Sequence, residues 1–362
     1  MIPLLTRRAL NRALLARQLL LVRAPLTPLQ AVAQLAALQA QLPNPPYIGL
    51  WTRLAQFERD DLTQLMQQRQ VVRAAWLRST LHLITADDHQ RFRQTLQPAL
   101  ARGLSSFFGK RIQGLESAAL IAAAADYCAQ QPRTMGEIRA RLLEIEPERD
   151  GDALAYVVRT YLPLVQAPPG GVWGSGSGGG YVTAASWLSA PAQPDDLQAL
   201  FRRYLAAFGP AGVMDFQTWT GMTKLKPALE PLLPTLRVYQ DERGTLLYDL
   251  PDQALPDLDT PAPIRLIPEY DNILIAHADR TRILADADRQ KVFLSSARVL
   301  STFTVDGFVA GTWKIERAKR TAALVIAPFA PLDGATTDSL VAEAERLLRW
   351  VDPQAETVAV RL

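Results

Sequence analysis

Apolar residues recur every three or four positions through the N-terminal segment, a spacing typical of amphipathic helices. Thr6 can cap a helix over RRALNRALLARQLLL, and Thr27 can cap a second one over PLQAVAQLAALQAQ. The prolines of LPNPPY then stop the second helix, because proline removes a backbone donor and disfavours helical geometry in the residue before it. The pattern therefore predicts two helices that end at a rigid proline turn.

Further along, helical periodicity gives way to strand-like alternation, and this order of elements recurs. A helix around GLWTRLAQF and one over DDLTQLMQQRQ, capped by Asp60 or Asp61, precede the alternating segment VVRAAWLRSTLHLIT. Two later stretches each predict three helices and a hairpin, and in the first of them the Gly/Ser-rich GGVWGSGSGGGY forms the hairpin loop. Helices followed by a short strand pair indicate winged-helix modules, which we place at residues 1–115, 116–190 and 191–255.

The last part of the chain has a different composition and pattern. The segment PDQALPDLDTPAP reads as a linker, and residues 262–362 contain at least four strand-like runs with turns at Asp306-Gly307 and near Lys319. A final amphipathic helix over TTDSLVAEAERLLRWV closes this module. We predict an α+β protein in which tandem winged helices are followed by a β-barrel-like domain.

Charge is distributed unevenly along the chain. The formal net charge is only +3, yet the first 115 residues hold fifteen Arg and Lys against five Asp and Glu, and no acid precedes Glu58. A basic surface of this kind attracts polyanions, largely through counterion release. Charge alone leaves two interpretations open, a nucleic-acid-binding surface or a solvated Arg-rich helical surface.

Several function classes are disfavoured by what the sequence contains. A single cysteine, Cys128, excludes an internal disulfide, and three histidines supply too few ligands for a conventional metal centre. No apolar run approaches the roughly 20 residues of a membrane span. The Arg-rich start is expected to be a mature amphipathic helix, because Arg12 and Arg17 interrupt any signal-peptide core. We expect a cytoplasmic monomer without cofactor, metal or membrane contact.

One polar pair stands out at the end of the second predicted helix, in LQAQLPNPPYIGLW. If the helix breaks at Gln41, the amides of Gln39 and Gln41 can face one cavity backed by Tyr47 and Trp51. Amides donate and accept hydrogen bonds without titrating near neutrality, so such a pair can orient water but cannot protonate a leaving group. From the residues alone, two solvent-facing glutamines and a catalytic pair both remain open.

The blocks around this pair resemble the AlkZ/YcaQ type of bacterial DNA glycosylase. The similarity runs in order through LQAQLPNPPYIGLW, VVRAAWLRSTLHLITADD, YLPLVQAPPGGVWG, RRYLAAFGPAGVMDFQTWTGM, IPEYDNILIAHADRTRI and VDGFVAGTWKI. The resemblance implies tandem winged helices and a β-barrel arranged as a C around duplex DNA, and excision of N-alkylated purines, including bulky adducts and crosslinks. It assigns Gln39 and Gln41, on either side of Ala40, as the residues that position the hydrolytic water.

We also select residues expected to contact DNA or to line the pocket. Three groups of residues are expected to face DNA. They are Arg73, Arg78 and His82 on the alternating segment, Lys224 and Lys226 in the third module, and Lys314, Arg317, Lys319 and Arg320 on the C-terminal hairpin. His277 and Asp279, with Arg280 and Arg282, are expected on the same concave surface. For His82 a core position remains open, and for the basic cluster a solvated surface.

Two alternative functions remain open for a winged-helix protein. A transcription regulator would favour one operator sequence, whereas a glycosylase would bind duplexes with little sequence preference and a steep salt dependence. A protein-interaction scaffold would have no affinity for DNA even at low salt.

Overall fold

Local capping starts the N-terminal helices where the sequence predicts. The computed structural model describes residues 2–176, 178–188, 194–318 and 320–362. Thr6 Oγ1 accepts from the Ala9 amide at 3.2 Å, and Thr27 forms reciprocal bonds with Gln30. The elements of the first part are β1 (Leu4–Leu5), α1 (Arg7–Arg17), α2 (Pro28–Leu35), β2 (Leu38–Gln39), α3 (Pro45–Arg53), α4 (Arg59–Gln67), β3 (Val71–Ala75), β4 (Leu81–Thr85), α5 (Ala86–Phe92) and α6 (Gln97–Phe108).

Helix α2 ends six residues before Gln41, and this corrects the sequence prediction. Ala36 adopts left-handed backbone with φ of 66°, which stops the helix before any of the prolines is reached. The chain then extends, and Leu38 and Gln39 pair with Leu83 and His82 of β4. The pairing overrides helix propensity, because strand β4 supplies the hydrogen bonds that an isolated extended segment lacks.

The central sheet joins strands from both sides of the expected boundary near residue 115. Its order is β2-β4-β3-β5-β6, and β3 pairs with β5 through Arg73 opposite Gln166. Strands β5 and β6 flank the Gly-rich loop as expected. The elements after residue 115 are α7 (Ser117–Gln130), α8 (Met135–Leu143), α9 (Gly151–Tyr161), β5 (Leu164–Gln166), β6 (Tyr181–Thr183) and α10 (Ala184–Trp187).

The third group of elements has the predicted order of three helices and a hairpin, and the N-terminal strand pairs with it. Strand β1 adds in parallel to β7, forming a sheet of order β1-β7-β8. A buried ion pair between Arg17 and Asp249, 2.6 Å at its closest, fastens α1 to the end of this hairpin. The elements are α11 (Leu197–Phe208), α12 (Val213–Thr220), α13 (Lys226–Leu229), β7 (Arg237–Asp241) and β8 (Leu246–Asp249).

The C-terminal part forms an open sheet, so the expected β-barrel-like domain is wrong. Its order is β13-β12-β11-β10-β9, with β9 and β13 at opposite edges. After the long helix, the last strand returns in parallel beside β12 instead of pairing with β9, which leaves the sheet unclosed. The elements are β9 (Arg265–Ile267), α14 (Arg289–Val292), β10 (Thr302–Val305), β11 (Phe308–Ala318), β12 (Thr321–Pro328), α15 (Gly334–Val351) and β13 (Thr357–Arg361).

The largest hydrophobic core crosses all the expected modules. One buried cluster contains Leu14 of α1, Trp76 after β3, Phe201 of α11 and Ile283 of the C-terminal part. Buried apolar surface is the main stabilising contribution in folding, so these segments stabilise one another. Across the described ranges, the helices are all too short or too polar to traverse a lipid bilayer.

Candidate active site

Gln39 lies on a strand, and this decides where its side chain points. Leu38 and Ala40 both pack into the cluster that contains Leu83. Side chains alternate between the two faces of extended backbone, so Gln39 projects away from that cluster on the other face. Gln39 is buried, at 9% exposed, whereas Gln41 is exposed. Gln41 follows the strand in a bend before the prolines, so the pair does not lie at the end of a helix as the sequence pattern suggested.

Arg78 contacts the side chain of Gln39 directly. It lies in the 3-10 turn Leu77–Ser79 between β3 and β4, with φ of 53°. Its Nη2 donates to Gln39 Oε1 at 2.9 Å, and its Nη1 donates to the Trp219 carbonyl at 2.6 Å. Burial, helped by the charge of Arg280, lowers the pKa of Arg78 to about 10. The guanidinium expected to bind DNA is thus turned inward onto the glutamine.

Asn272 completes this network from the C-terminal part of the chain. Its Nδ2 donates to the Ala37 carbonyl at 2.7 Å, and its Oδ1 accepts from Arg78 Nη2 at 3.4 Å. Asn272 is buried and begins the 3-10 turn Asn272–Leu274. Sequence reasoning did not select it, although two adjacent polar residues inside the apolar run of IPEYDNILIA were a usable signal.

Arg73 fixes the backbone of the pair rather than contacting DNA. Its Nε and Nη2 donate to the Ala40 carbonyl at 2.8 and 2.7 Å, and Nη2 also reaches the Gln41 carbonyl at 3.2 Å. The side chain further bonds Gln166. Burial lowers the pKa of Arg73, and only 2% of the residue is exposed. The expected DNA contact of Arg73 is therefore corrected to internal support of the Gln39–Gln41 segment.

His82 is also internal, so its expected DNA contact is wrong. It has no exposed surface, and its Nδ1 lies 3.1 Å from the Thr80 carbonyl. Burial, then the nearby charge of Arg78, lowers the pKa of His82 well below its usual range. The alternating sequence pattern predicted His82 at a surface, but packing on both sides of β4 encloses its side chain. His82 is a neutral imidazole directly opposite Gln39.

Three of the four expected pocket residues belong to the core. Tyr47 is fully buried and bonds Thr63 at 3.1 Å, while Trp51 is 8% exposed and packs against Trp350. His277 is 1% exposed, and burial followed by the charge of Arg282 lowers its pKa to about 3. Tertiary packing from distant elements encloses these rings, so the expected lining is wrong for Tyr47, Trp51 and His277.

Asp279 and the basic residues occupy more exposed positions. Asp279 pairs with Arg243 at 2.8 Å and, with Lys226, lines a groove of about 950 Å³. The remaining described basic candidates are exposed at the surface: Lys224, Lys314, Arg317 and Arg320. On the C-terminal hairpin, each of the last three forms an ion pair with a neighbouring acid. Lys319 falls outside the described residues.

Two further grooves are lined by residues that contact or directly follow the glutamine pair. We name the first the Phe107 groove, of about 460 Å³, because Arg78, Arg102, Phe107 and Met214 line it. Phe107 and Met214 are 66% and 64% exposed, which is unusual for large apolar side chains. Arg78 connects this groove to Gln39. Neither Arg102 nor Phe107 was selected from the sequence, because the groove forms only between α6 and α12, which are distant in sequence.

The second groove, the Trp173 groove, begins one residue after Gln41. It measures about 540 Å³. Its lining combines the proline turn, the Gly-rich loop and the C-terminal hairpin, including Leu42, Asn44, Trp173, Arg298, Lys314 and Arg317. The Gly174 amide donates to Asn44 Oδ1 at 2.9 Å, which holds the loop against the turn. Two of the predicted basic residues, Lys314 and Arg317, therefore lie on a groove that adjoins Gln41.

A family model and a solved structure match this chain. The sequence model described as DNA glycosylase AlkZ-like matches residues 32–350. The fold is similar to that of the Streptomyces sahachiroi DNA glycosylase AlkZ, with a TM-score of 0.79, 18% sequence identity and 98% of each chain covered. Among curated proteins, none matches the sequence significantly. The structural likeness covers the central sheet, the third group of elements and the C-terminal sheet alike.

Proposed function

This chain belongs to the AlkZ-like DNA glycosylase family, and we propose that it hydrolyses the N-glycosidic bond of N-alkylated purines, alkylated at N7 or N3, in duplex DNA. Bulky adducts and interstrand crosslinks fall within the proposed substrate class. The observation that carries the proposal is the neighbouring pair Gln39 and Gln41, in which Arg78 holds the amide of Gln39 and the side chain of Gln41 is exposed next to Leu42 of the Trp173 groove.

The chemistry of an alkylated purine suits a site built from neutral amides. Alkylation gives the base a positive charge, so the purine leaves with little help from a general acid. What the enzyme must supply is a positioned water and a favourable electrostatic environment for the sugar cation. Gln39 and Gln41 can hold that water, and the neighbouring DNA phosphates can stabilise the cation. Normal bases are poorer leaving groups and would be spared.

The proposed enzyme is monofunctional and leaves an abasic site. Lyase chemistry requires an amine that forms a Schiff base with the sugar. The family resemblance assigns no lysine as a nucleophile in the reaction. Hydrolysis by water, followed by release of the intact abasic strand, is the proposed outcome.

We further propose that tandem winged helices and the open C-terminal sheet surround the duplex in a C-shaped arrangement. Exposed basic residues would bind phosphates, which fixes position without reading sequence. The proposed contacts are Lys224, Lys226, Lys314, Arg317, Lys319 and Arg320, to which the two grooves add Arg102 and Arg298. Phosphate binding without base readout suits an enzyme that must find lesions in any sequence context.

The direct test is incubation with a duplex that contains 7-methylguanine. Release of free base, with an abasic strand that breaks only after alkali treatment, supports the proposal. Gln39→Ala combined with Gln41→Ala should abolish release and leave duplex affinity within about threefold, since amides that act on the chemical step add little uniform binding. If the wild-type protein binds the duplex but releases no base, a non-catalytic DNA-binding role replaces the proposal for that lesion.

A further inference from the structure

The hydrogen bond to Arg78 sets the orientation of the Gln39 amide. A guanidinium only donates hydrogen bonds, so the amide atom that faces Arg78 at 2.9 Å must be the oxygen. Bonds from a charged donor are stronger than neutral ones, and Arg78 is itself anchored by the Trp219 carbonyl. Flipping the amide would bring its NH₂ group against the guanidinium. The oxygen of Gln39 is therefore directed inward.

The nitrogen of Gln39 is left free by the same contact. Within the described part of the chain, no hydrogen bond involves Gln39 Nε2, and this atom is not among the fully buried unpaired atoms. Its two N–H groups thus remain available at the surface of the site. Gln41 differs, because its side chain is exposed and makes no hydrogen bond within the described residues, while Arg73 holds only its backbone.

From this contact we propose that Arg78 fixes Gln39 as a hydrogen-bond donor: Gln39 donates Nε2–H to an acceptor of the DNA beside the scissile bond, while Gln41 keeps the water-positioning role of the proposed function. This deepens the proposed function and rests on it. As the C1′–N bond breaks, its electron pair passes to the purine and neutralises the positive charge. The water oxygen bonds to C1′, and its surplus proton passes to bulk water.

Arg78 and Asn272 are positioning residues in this scheme. Neither touches the reacting atoms, but Arg78 holds the Gln39 oxygen, and Asn272 holds both Arg78 and the Ala37 carbonyl two residues before Gln39. Their partners come from three separate parts of the chain: the β3–β4 turn, the end of α12 and the C-terminal 3-10 turn. The donor orientation of Gln39 therefore exists only when these parts are docked.

The first arm of the test exchanges each amide for a carboxylate of the same shape. Glu at 39 can still accept from Arg78 but lacks N–H donors, whereas Glu at 41 is still an acceptor for water. Single-turnover release of 7-methylguanine should show Gln41→Glu recovering at least about tenfold over Gln41→Ala, with Gln39→Glu no faster than Gln39→Ala. The reverse pattern, or equal recovery or equal loss at both positions, overturns the assignment.

The second arm tests Arg78 as a positioning residue. Arg78→Met removes every donor at similar length, and Arg78→Lys retains one. Met should slow single-turnover release by about 100-fold with duplex affinity little changed, and Lys should recover part of that rate. A role limited to stability would lower the folded fraction of both variants and leave the rate per folded molecule unchanged, which would overturn the positioning role.

A third arm needs no catalysis, so it separates this inference from the proposed function. In protein labelled with ¹⁵N-glutamine, the side-chain NH₂ signals of Gln39 are identified by their loss in Gln39→Glu. Adding a duplex with a stable abasic-site analogue should shift these signals in the wild type and not in Arg78→Met. Unmoved signals in a saturated wild-type complex overturn the donor role, even if base release is observed. If the signals shift but no base is released, the proposed function is overturned and the donor role of Gln39 stands.

Discussion

Arg53 and Asp271 form a buried two-bond ion pair that ties helix α3 to the segment carrying Asn272. Their nitrogen and oxygen atoms lie 2.8 and 2.9 Å apart, and the side chains are 1% and 3% exposed. Arg53 also donates to the Gln18 carbonyl at 2.9 Å. The pair thus joins the N-terminal helices to the C-terminal part directly beside the candidate site.

Removing one partner of this pair should be strongly destabilising. Asp271→Ala leaves the Arg53 charge buried without compensation, which typically costs about 3 to 5 kcal/mol. Urea unfolding followed by circular dichroism measures the change in the free energy of unfolding. The control is Arg139→Ala, which breaks an exposed pair with Asp152 and should cost less than about 1 kcal/mol. Equal effects of the two variants would contradict the buried-pair argument.

Gly221 is predicted to be required for the position of Arg78. It has φ of +81°, and a Cβ added there would lie 3.2 Å from Arg78 Cα. Gly221→Ala should therefore cost about 1 to 2 kcal/mol in backbone strain and slow base release by roughly tenfold, through displacement of Arg78.

Gly114 provides the matched control for this substitution. Its φ is +69°, but no atom of the described residues lies within 4 Å of the added Cβ. Gly114→Ala should show a similar loss of stability in thermal unfolding and normal single-turnover release. If the Gly221 variant releases base as fast as the Gly114 variant, the contact with Arg78 has no influence on the site.

Acid should destabilise the protein through its histidines. Burial lowers the pKa of His89 and His277 to about 3 and that of His82 well below 6.5. An unfolded histidine binds a proton below about pH 6.5, whereas the folded residue does not. The free energy of unfolding therefore has its full value above about pH 6.5 and decreases as the pH falls below it. Between pH 7 and 5.5 the loss should be about 1 kcal/mol for each histidine.

One substitution isolates this contribution. His89 stacks on Trp76, and within the described part of the chain both of its ring nitrogens are buried without a partner. His89→Phe keeps the stacking and removes the titration, so the free energy of unfolding should fall less steeply with acid, by about 1 kcal/mol over the same interval. Parallel pH profiles for wild type and variant, measured by urea unfolding, would show that His89 is protonated in the folded state.

Arg102 is predicted to bind a DNA phosphate at the Phe107 groove. It is exposed, and among the described residues no acid pairs with it. Arg102→Ala should weaken duplex binding and reduce the slope of log affinity against log salt by about 1, measured by fluorescence anisotropy across a salt series. Arg141→Ala is the control, since Arg141 pairs with Glu144 and lines neither groove near Gln39. An unchanged slope for Arg102→Ala would remove this groove from the DNA surface.

The sequence alone determined features set by neighbouring residues. Thr6 and Thr27 cap helices because their side chains reach amides only three positions away. The Asp306-Gly307 turn follows from local backbone preference, and both residues have positive φ. The hairpin around the Gly-rich loop follows in the same way from local pattern. The family itself was recognisable, because its blocks are continuous in sequence.

Only the tertiary structure decided how the glutamine pair is held. Arg78 meets Gln39 across 39 positions and Asn272 across 194, and no local pattern encodes contacts of that range. The same reason explains the errors of the sequence predictions. Gln39 lies in a strand because it pairs with β4, and His82 is buried by packing against distant segments. The C-terminal sheet is open because β13 pairs in parallel with β12. Propensity acts over a few residues, whereas burial and strand pairing depend on which distant segments meet.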